Sequence, residues 1–525
     1  MKMKILLINP PYPVCESLTM PLGLLYLAAR LEQDGHEVVL EDMQLANAPI
    51  ARLRKALLRA NPRVVGITSF SINLHAAGKL LGTVKQVCPE AITVWGGPHV
   101  SFDDEAVLQQ NQAVDVIVRG EGEETLAEVV DRATRGQGFE GALGVTWRKR
   151  EGEIFQNPSR PFQQDIDRWP RPAWHLLKLS QYRAFGDGAS LLTSRGCPHR
   201  CVFCVGRRMI GSHGRFRNPV AVVDEMESLT HLGFKRIRIE DDLFTFRKER
   251  ALSICQEIDR RKLSIKWRAY ARVDTVDPEL LGWMKQAGCE RLLFGAESGS
   301  AEILKRIRKG ITPEQTRRAV EMTRKAGIGV LASFVLGLPG ETPETLRQTV
   351  EFADSLQVPY SLNLLTPYVG TEIRERSQEW GIQIHSNDWR LYGQGNPLTS
   401  TASVNGKRLL RTVNQYRQGV RQYLAELLER EEKGSLTPEN ADELTRHRHW
   451  DFLRRLIGGE ALERFGVLPS RLGAPDMNSL AGSIATSLGM GIEEVEKDLE
   501  SLARGGNICQ THCENGRLQW AWAEN

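Results

Sequence analysis

The chain has 525 residues, which is enough for about three domains of ordinary size. Its 69 Lys and Arg residues nearly balance its 65 Asp and Glu residues, and this excludes a dedicated binder of nucleic acids or anionic lipids. The first residues, MKMKILLINPPYP, lack a secretory apolar stretch, and no later apolar run is long enough to span a bilayer, so we expect a cytoplasmic protein without a membrane span.

Residues 1–135 alternate short apolar runs with amphipathic stretches, in a βα unit about 30 residues long. The predicted strands are KILLIN, HEVVLED, VVGITSF, AITVWGG and VDVIVRG. Strands this rich in Val, Ile and Leu predict a doubly wound, Rossmann-like parallel sheet covered on both faces. Ligands of such sheets bind beyond the carboxyl ends of the strands, which here are the loops at residues 9–12, 69–73, 96–99 and 119–123.

A second βα series begins after an irregular, proline-punctuated connection. Its predicted strands are ASLLTSR, RIRIEDD, KWRAYAR, RLLFGAES, GVLASFVLGLPG and YSLNLLTP. Because six strands are fewer than the eight of a closed TIM barrel, we expect a partial, TIM-like barrel with its active residues at the carboxyl ends. A charged, mainly helical region follows. The predicted divisions are 1–150 for the first domain, 151–188 for the linker, 189–400 for the barrel and 401–525 for the helical region.

Three cysteines, Cys197, Cys201 and Cys204, follow the first barrel strand with CxxxCxxC spacing. In a reducing compartment, a tight cluster of cysteines indicates metal binding or catalysis rather than disulfide bonds. Three cysteines on an iron–sulfur cubane leave one iron free for a ligand, whereas a structural zinc site needs four ligands, for which His199 or His213 would have to serve. Both alternatives stay open on the spacing alone.

The motif CPHRCVFC at this position resembles the radical S-adenosylmethionine (SAM) superfamily, and three later motifs resemble it as well: IEDD, FGAES and LGLPGET. The resemblance implies that the three cysteines ligate a [4Fe-4S] cluster whose open iron binds SAM. It also implies SAM-binding roles for Phe203 beside the adenine, Glu240 and Asp241 at the methionine amino group, Gly295, Glu297 and Ser298 at the ribose and carboxylate, and Gly337 in the turn beside the adenine.

The first domain resembles the cobalamin-binding domain that precedes the barrel in one class of these enzymes, on the segments NPPYP, PLGLLYLAARLEQDGHEVVLED, WGGPH and VRGEGEETLAEVV. The implied cobalamin-binding residues are Pro10, Ser69, Phe70, Ser71, Gly96, Gly97 and Glu121. The DxHxxG signature of a histidine ligand to cobalt is absent from the sequence, so we expect cobalamin without one, with His36 in a turn and His99 at the rim of the site.

The resemblance implies methylation of an unactivated carbon of a small-molecule, lipid or tetrapyrrole intermediate, through a deoxyadenosyl radical and methylcobalamin. Tyr270, Arg272 and Tyr368 are candidates to line the substrate cavity, and an external flavodoxin or ferredoxin would supply electrons. The alternative within the class is a cyclase or oxidoreductase without methyl transfer. An RNA methylthiotransferase needs three further cysteines in the first domain, where only Cys15 and Cys88 occur, and a zinc-stabilised binding protein leaves the later motifs unexplained. The C-terminal CQTHC segment is a weak metal signal.

Overall fold

A computed structural model describes residues 2–13, 18–149, 151–393, 395–467, 476–512 and 518–524. The first sheet has seven strands: β1 (Lys4–Asn9), β2 (Glu37–Asp42), β3 (Val64–Thr68), β4 (Ile92–Gly96), β5 (Val116–Val118), β6 (Val145–Arg148) and β7 (Ile154–Gln156). Its helices are α1 (Leu22–Gln33), α2 (Pro49–Ala60), α3 (Leu74–Val87), α4 (Asp104–Gln110) and α5 (Glu123–Thr134).

The strands of this sheet run in the order β2-β1-β3-β4-β5-β6-β7, and the first five are parallel, as the sequence predicts. Five of the six residues of β1 are buried, because helices cover both faces of the sheet. The antiparallel hairpin of β6 and β7 was not predicted, since its strands have only four and three residues and a charged connection. This hairpin carries the sheet past the predicted domain boundary at residue 150 to Gln156.

The second sheet has six parallel strands in the order β15-β14-β13-β12-β11-β8 and does not close, which confirms the predicted partial barrel. The strands of this part of the chain are β8 (Ala189–Leu191), β9 (Ser194–Arg195), β10 (Arg215–Phe216), β11 (Arg236–Ile239), β12 (Lys266–Ala271), β13 (Cys289–Glu297), β14 (Gly329–Leu336), β15 (Tyr360–Leu364), β16 (Gln383–Ile384) and β17 (Thr399–Ser400). Its helices are α6 (Leu179–Phe185), α7 (Gly206–Ile210), α8 (Pro219–His231), α9 (Lys248–Arg260), α10 (Pro278–Gln286), α11 (Ala301–Arg306), α12 (Pro313–Lys325), α13 (Pro343–Ser355) and α14 (Glu372–Glu375).

Burial alternates along the barrel strands. In β14, for example, Val330, Ala332 and Phe334 are buried against the surrounding helices, while Leu331 and Ser333 between them are half-buried. Alternate side chains of a strand point to opposite faces of the sheet. The half-buried set therefore faces the interior of the partial barrel, where a ligand has access to it.

The last part of the chain is mainly helical, as predicted, and ends in a hairpin. Its elements are α15 (Gly406–Glu432), α16 (Pro438–Gly458), α17 (Ala461–Phe465), α18 (Met477–Leu488), α19 (Ile492–Arg504), β18 (Ile508–His512) and β19 (Leu518–Trp522). Cys509 and His512 of the CQTHC segment lie in β18, whereas Cys513 and Cys15 lie outside the described residues. Within the described ranges, every helix is too short or too polar to cross a membrane.

Candidate active site

The cysteine loop, residues 196–205, connects β9 to α7 at the carboxyl end of the barrel. Gly196 has a φ of +101°, and a Cβ at this position would lie 2.1 Å from the carbonyl oxygen of His213. Only glycine tolerates both conditions. A hydrogen bond from the backbone amide of Cys204 to the carbonyl of Cys201 (3.1 Å) folds the loop into a turn. The sequence thus shapes a tight loop that brings its thiols to one side.

The three thiols share a partly desolvated environment. Surrounding protein raises the pKa of each thiol, that of Cys204 to about 11, although part of this residue is exposed. The charges of Arg272 and Lys309 oppose this increase in pKa at Cys197 and Cys201. A bound metal deprotonates such thiols outright. The loop therefore offers three thiol ligands beside two fixed cations.

The zinc alternative needs four ligands that converge on one ion. Among the residues that the structure describes, no group of three or more Cys, His, Asp and Glu side chains converges in this way. In a cubane each thiolate binds a different iron, so its ligands stand farther apart than those of a single ion. Three thiols that do not converge on one point are therefore compatible with a cluster.

The acidic residues 240–242 follow β11, and the two aspartates among them have different surroundings. Asp241 is buried and accepts hydrogen bonds from the amide of Thr193 (2.6 Å) and the hydroxyl of Ser194 (2.5 Å). It therefore supports the segment ahead of the cysteine loop, and its binding of the methionine amino group stays a prediction. Asp242 instead acts on the thiols of Cys197 and Cys204 electrostatically. Burial, together with the charge of Asp241, raises the pKa of Asp242 to about 6.

Glu240 also has partners within the barrel. Its carboxylate accepts a hydrogen bond from Ser190 (3.0 Å) and forms an ion pair with Arg238 (3.1 Å). It is half-buried on the interior face, one level above Arg238. Of the two acids predicted to hold SAM, Glu240 is thus the one that faces the interior.

Glu297 combines backbone strain with a buried ion pair at the end of β13. Its φ is +62°, and the register of β13 shifts between Gly295 and Glu297. Lys309 donates to its carboxylate (2.7 Å), and both side chains are buried. A Cβ on Gly295 would lie 2.4 Å from the same carboxylate. Left-handed backbone in a non-glycine residue occurs mainly at functional sites, so this bulge is the most distinctive backbone feature of the candidate site.

Ser298, next in the same motif, is fully buried and hydrogen-bonded to the hydroxyl of Thr349 (2.9 Å). It also accepts from the amide of Ser300 (3.1 Å). These bonds fix the turn after β13, so we replace the predicted cofactor contact of Ser298 with a supporting role. Phe203, in the cysteine loop, is half-buried against the hydrophobic core.

The glycine-rich turn after β14 encloses a carboxyl group. The amide of Gly337, whose φ is +88°, donates to one oxygen of Glu341 (2.6 Å). The other oxygen is buried without a hydrogen-bond partner among the described residues. Burial raises the pKa of Glu341 from 4.5 to about 8. This carboxyl is therefore protonated in the folded protein at neutral pH.

This raised pKa predicts a loss of stability with increasing pH. Between about pH 4.5 and 8 the folded chain binds a proton at Glu341 that the unfolded chain has lost, so the free energy of unfolding falls across that window. Glu341→Gln keeps the side chain neutral and is expected to flatten the decrease in thermal midpoint between pH 5.5 and 8.5, measured by calorimetry. Glu344→Gln, at an exposed position, is the control. Equal slopes for wild type and Glu341→Gln would contradict the assignment.

Four buried charges join the first domain to the cysteine loop. Glu121, after β5, accepts two hydrogen bonds from Arg215 (2.8 Å each) and one from Arg195 (3.0 Å). Glu123 accepts another from Arg195 (2.6 Å). We call this group, Glu121, Glu123, Arg195 and Arg215, the interdomain quartet. Its bonds engage both oxygens of Glu121, and the cofactor contact of Glu121 stays a prediction. Arg195 lies two residues before Cys197, so the quartet ties the two predicted sites together.

The loop after β3 is similarly held by the first domain itself. The indole of Trp95 donates to the hydroxyl of Ser69 (2.8 Å), and the hydroxyl of Ser71 bonds to Nδ1 of His99 (2.8 Å). His99 is buried, with 1% of its surface exposed, so the expected position at the rim is wrong. Its ring packs edge-on against Trp389 at 4.4 Å between centroids. A turn from beyond the barrel therefore covers this loop.

The neighbouring loop after β4 approaches the β3 loop closely. Gly97 has a φ of +110°, and a Cβ there would lie 2.3 Å from the carbonyl of Ser69. Gly96 accepts a hydrogen bond from the amide of Ser69 (3.0 Å). Phe70, between these contacts, exposes 47% of its surface, whereas Pro10 at the end of β1 is buried. The two loops together leave one aromatic side chain free to contact a ligand.

The three candidate cavity residues have different surroundings. Tyr270 exposes 41% of its surface to the barrel interior. Arg272 is buried, with its guanidinium bound to Asp274 (2.9 Å) and to the carbonyl of Lys309 (2.8 Å), and so it reaches the cysteine loop rather than an open cavity. Tyr368 is half-buried, with its ring 6.3 Å from that of Tyr392.

Comparisons with known proteins agree with this arrangement. The Radical SAM superfamily matches residues 191–353, and the B12 binding domain family matches residues 14–130. An uncharacterized methyltransferase from Pyrococcus horikoshii is 35% identical over 404 residues, which are 75% of this chain and 87% of the relative. The chain belongs to the cobalamin-binding radical SAM family.

Other members of this family show how far the likeness extends. The anaerobic magnesium-protoporphyrin IX monomethyl ester cyclase of Rubrivivax gelatinosus is 28% identical over 76% of this chain and 73% of the cyclase. The solved structure of the cobalamin-dependent SAM radical enzyme OxsB has a TM-score of 0.68 at 18% identity, and the match covers 98% of this chain and 82% of OxsB. The protein therefore shares its fold with OxsB over nearly the whole of its chain.

The cofactors of the family are a [4Fe-4S] cluster, SAM and cobalamin. The cysteine loop fits the cluster chemically, since it supplies three soft thiol ligands and leaves one iron without a protein ligand. SAM carries an ammonium group and a carboxylate, which need partners of opposite charge. Nearby acids (Glu297, Asp242) suit the ammonium, and Lys309 suits the carboxylate. We propose these residues as the site of the cluster and SAM.

The loops at the carboxyl ends of β3 and β4 were expected to hold cobalamin, and their residues fit that cofactor. Gly97 lets the β3 and β4 loops meet, since a Cβ there would overlap the backbone of Ser69, and Nδ2 of Asn73, in the β3 loop, is buried without a hydrogen-bond partner among the described residues. Nδ1 of His99 is bound to Ser71, and Nε2 is directed at Asp103 (3.6 Å). Nε2 thus has no hydrogen-bond partner among the described residues, and the absence of a histidine ligand to cobalt stays a prediction.

Gly97→Ala tests this radical SAM protein's cobalamin site. The new Cβ would overlap the carbonyl of Ser69 in a backbone conformation that alanine rarely adopts, so the two loops must separate. We expect at least a tenfold loss of cobalt retained after desalting, measured by elemental analysis. Gly120→Ala is the matched control, because its φ is +69° but nothing lies within 4 Å of the added carbon. Full cobalt retention by Gly97→Ala would argue against cobalamin at this edge.

Sequence reasoning missed several residues of the site. Lys309 and Arg215 lie outside the quoted motifs, while Glu123 and Arg195 lie in quoted segments but were given no role, because each acts through a partner brought close by folding. The packing of Trp389 over the β3 loop is likewise a long-range contact that only the fold reveals.

Proposed function

We propose that the protein is a cobalamin-dependent radical SAM methyltransferase that methylates an unactivated carbon of a small-molecule, lipid or tetrapyrrole intermediate. The observation that carries the proposal is the interdomain quartet, which joins the loop after β5 of the cobalamin-type domain to the cysteine loop of the barrel. This contact supports one reaction chamber between two cofactor sites. The name of the Pyrococcus horikoshii relative, a methyltransferase, supports the same reaction.

When bound, the cofactors supply hydrogen-atom abstraction and a transferable methyl group. The residues of the chain orient them. Lys309 holds the carboxylate of Glu297 in one direction (2.7 Å), and the missing Cβ of Gly295 lets that pair pack directly against the backbone of β13. Because both side chains are buried, their orientation persists without competition from water.

Exclusion of water is the second contribution of the chain. Trp389 packs on His99, and the guanidinium of Arg374 lies 4.4 Å from the centre of the Trp389 ring. Arg374 also donates to the hydroxyl of Tyr392 (2.7 Å). This aromatic cover closes the chamber beside the β3 loop, where a reactive carbon centre must be shielded from solvent.

We assign the protein to the cytoplasm, with an external low-potential electron donor of the flavodoxin or ferredoxin type. The Cys-rich cluster motif and the reduced state that it requires support this compartment. The near balance of 69 basic and 65 acidic residues supports a small-molecule substrate rather than a nucleic acid.

The decisive experiment is anaerobic reconstitution with iron, sulfide and methylcobalamin, followed by reduction in the presence of SAM. We expect stoichiometric cobalt, an iron–sulfur absorbance band, and release of both 5′-deoxyadenosine and S-adenosylhomocysteine, identified by mass. Zinc in place of iron, with no cobalt retained, would overturn the proposal.

The cyclase alternative has one specific observation in its favour, the likeness to the Rubrivivax gelatinosus cyclase over 76% of the chain. It predicts 5′-deoxyadenosine without S-adenosylhomocysteine once the substrate is present. The ratio of these two products therefore separates the two functions.

A further inference from the structure

Three arginines stand side by side on the interior face of the barrel. Arg238 of β11 pairs in register with Arg268 of β12, which in turn pairs with Arg291 of β13. Neighbouring strands lie about 4.8 Å apart, so the three guanidinium groups occupy one level of the sheet. We call these three residues the arginine row.

The acids around the arginine row do not balance it. Asp187, which is mostly buried, forms ion pairs with both Arg238 (2.8 Å) and Arg268 (2.6 Å). Glu240 forms a second pair with Arg238 (3.1 Å). Arg291 is exposed and has no ion pair with any residue in the described ranges. Three cations thus face two carboxylates, and the excess positive charge lies toward Arg291.

Arg268 also has unused hydrogen-bonding capacity. A guanidinium has five N–H donors, and the bond to Asp187 is the one that Arg268 makes within the part of the chain that the structure describes. Its side chain is 25% exposed. Arg268 and Arg291 can therefore present several donors to one ligand, in the planar geometry that suits carboxylate and phosphate.

The surface above the arginine row leads to the cysteine loop. Tyr270, Leu293 and Leu331 lie one level higher on the same interior face. Arg272, whose charge acts on two of the cysteine thiols, is four residues beyond Arg268, or about 13 Å along the strand. The side chains of Tyr270, Leu293 and Leu331, with the carboxylate of Glu240 at the same level, therefore separate the arginine row from the cluster end.

We propose that Arg268 and Arg291 bind an anionic group, a carboxylate or a phosphate, of an elongated substrate. Its apolar part lies along Tyr270 and Leu293, and its reacting carbon lies toward the cysteine loop. This inference rests on the proposed function and names the substrate class of the same chamber. The phosphate of the cobalamin nucleotide has the same chemistry, so the test separates the two sources.

Calorimetric titration of the cobalamin-loaded, cluster-containing enzyme with inorganic phosphate tests the proposal. Arg268→Gln and Arg291→Gln are each expected to weaken phosphate binding about tenfold, because each removes a charge-assisted hydrogen bond. Asp187→Asn removes a competing carboxylate and is expected to strengthen binding severalfold, which a merely structural role would not produce. Arg347→Gln, on the outer surface of α13, is the control and should bind as wild type does.

Absence of phosphate binding by wild type, unchanged binding by both arginine variants, or weaker binding by Asp187→Asn would overturn the proposal. Binding that occurs only before cobalamin is loaded would assign the arginine row to the cofactor nucleotide and overturn the substrate assignment. Cobalt content and 5′-deoxyadenosine release are measured in the same wild-type samples. If both are absent, the proposed function fails, while the phosphate titration still decides whether the arginine row binds an anion.

Discussion

Cys201→Ala is expected to abolish 5′-deoxyadenosine formation, to below one hundredth of the wild-type rate, and to remove the iron–sulfur absorbance band. Cys201 lies in the tight loop formed around Gly196, and within that loop only Cys197 and Cys204 remain as thiol ligands after the substitution. A cluster with two thiol ligands loses both its anchoring and the defined open iron that SAM requires. Iron content and the product are measured on the same anaerobic preparation.

Cys88→Ser is the matched control for this experiment. Cys88 is half-buried at the end of α3 in the first domain, distant in sequence from the cysteine loop. Its variant should keep both the cluster and the activity. An active, iron-loaded Cys201→Ala protein would show that the cluster assignment is wrong.

Glu121→Gln is expected to lower the free energy of unfolding by about 3–5 kcal/mol, because it leaves the buried Arg215 without its carboxylate partner and leaves Arg195 with Glu123 alone. Arg195 and Arg215 have 11% and 4% of their side chains exposed, so water cannot replace the lost partner. The thermal midpoint, followed by circular dichroism, should fall by several degrees. Activity should fall more than the folded fraction does, since Arg195 precedes Cys197 by two residues.

Glu124→Gln, three residues farther along in the first turn of α5, provides the comparison. Glu124 pairs with Arg30 at 3.4 Å, and its side chain is 29% exposed, so its loss should cost no more than about 1 kcal/mol. Equal effects of the two substitutions would mean that the interdomain quartet has no special role in joining the domains.

The sequence predicted those parts of the site that depend on short-range pattern. The three cysteines and the glycine that shapes their loop lie within nine residues, and all eleven parallel strands of the two sheets stand out as apolar runs. The short hairpin of β6 and β7 escaped prediction, because strands of three or four residues with charged flanks carry too little periodicity.

Contacts that depend on long-range partners could not be predicted from the sequence. The resemblance implied that Glu121 and Asp241 bind cofactors, and those roles stay predictions. The structure adds a protein partner for each, at a separation of 74 residues for Glu121 with Arg195 and 48 residues for Asp241 with Thr193. His99 was placed at the rim, but Trp389 covers it from nearly three hundred residues away in the chain.

The sequence by itself thus determined the fold class, the order of the strands along the chain and the three thiol ligands, since each depends on the spacing of neighbouring residues. Only the tertiary structure decided which charges meet: the interdomain quartet, the pair of Glu297 and Lys309, and the arginine row. The physical reason is that an ionised side chain accepts any partner of opposite charge. Its actual partner is chosen by the packing of strands and helices around it, which no local pattern records.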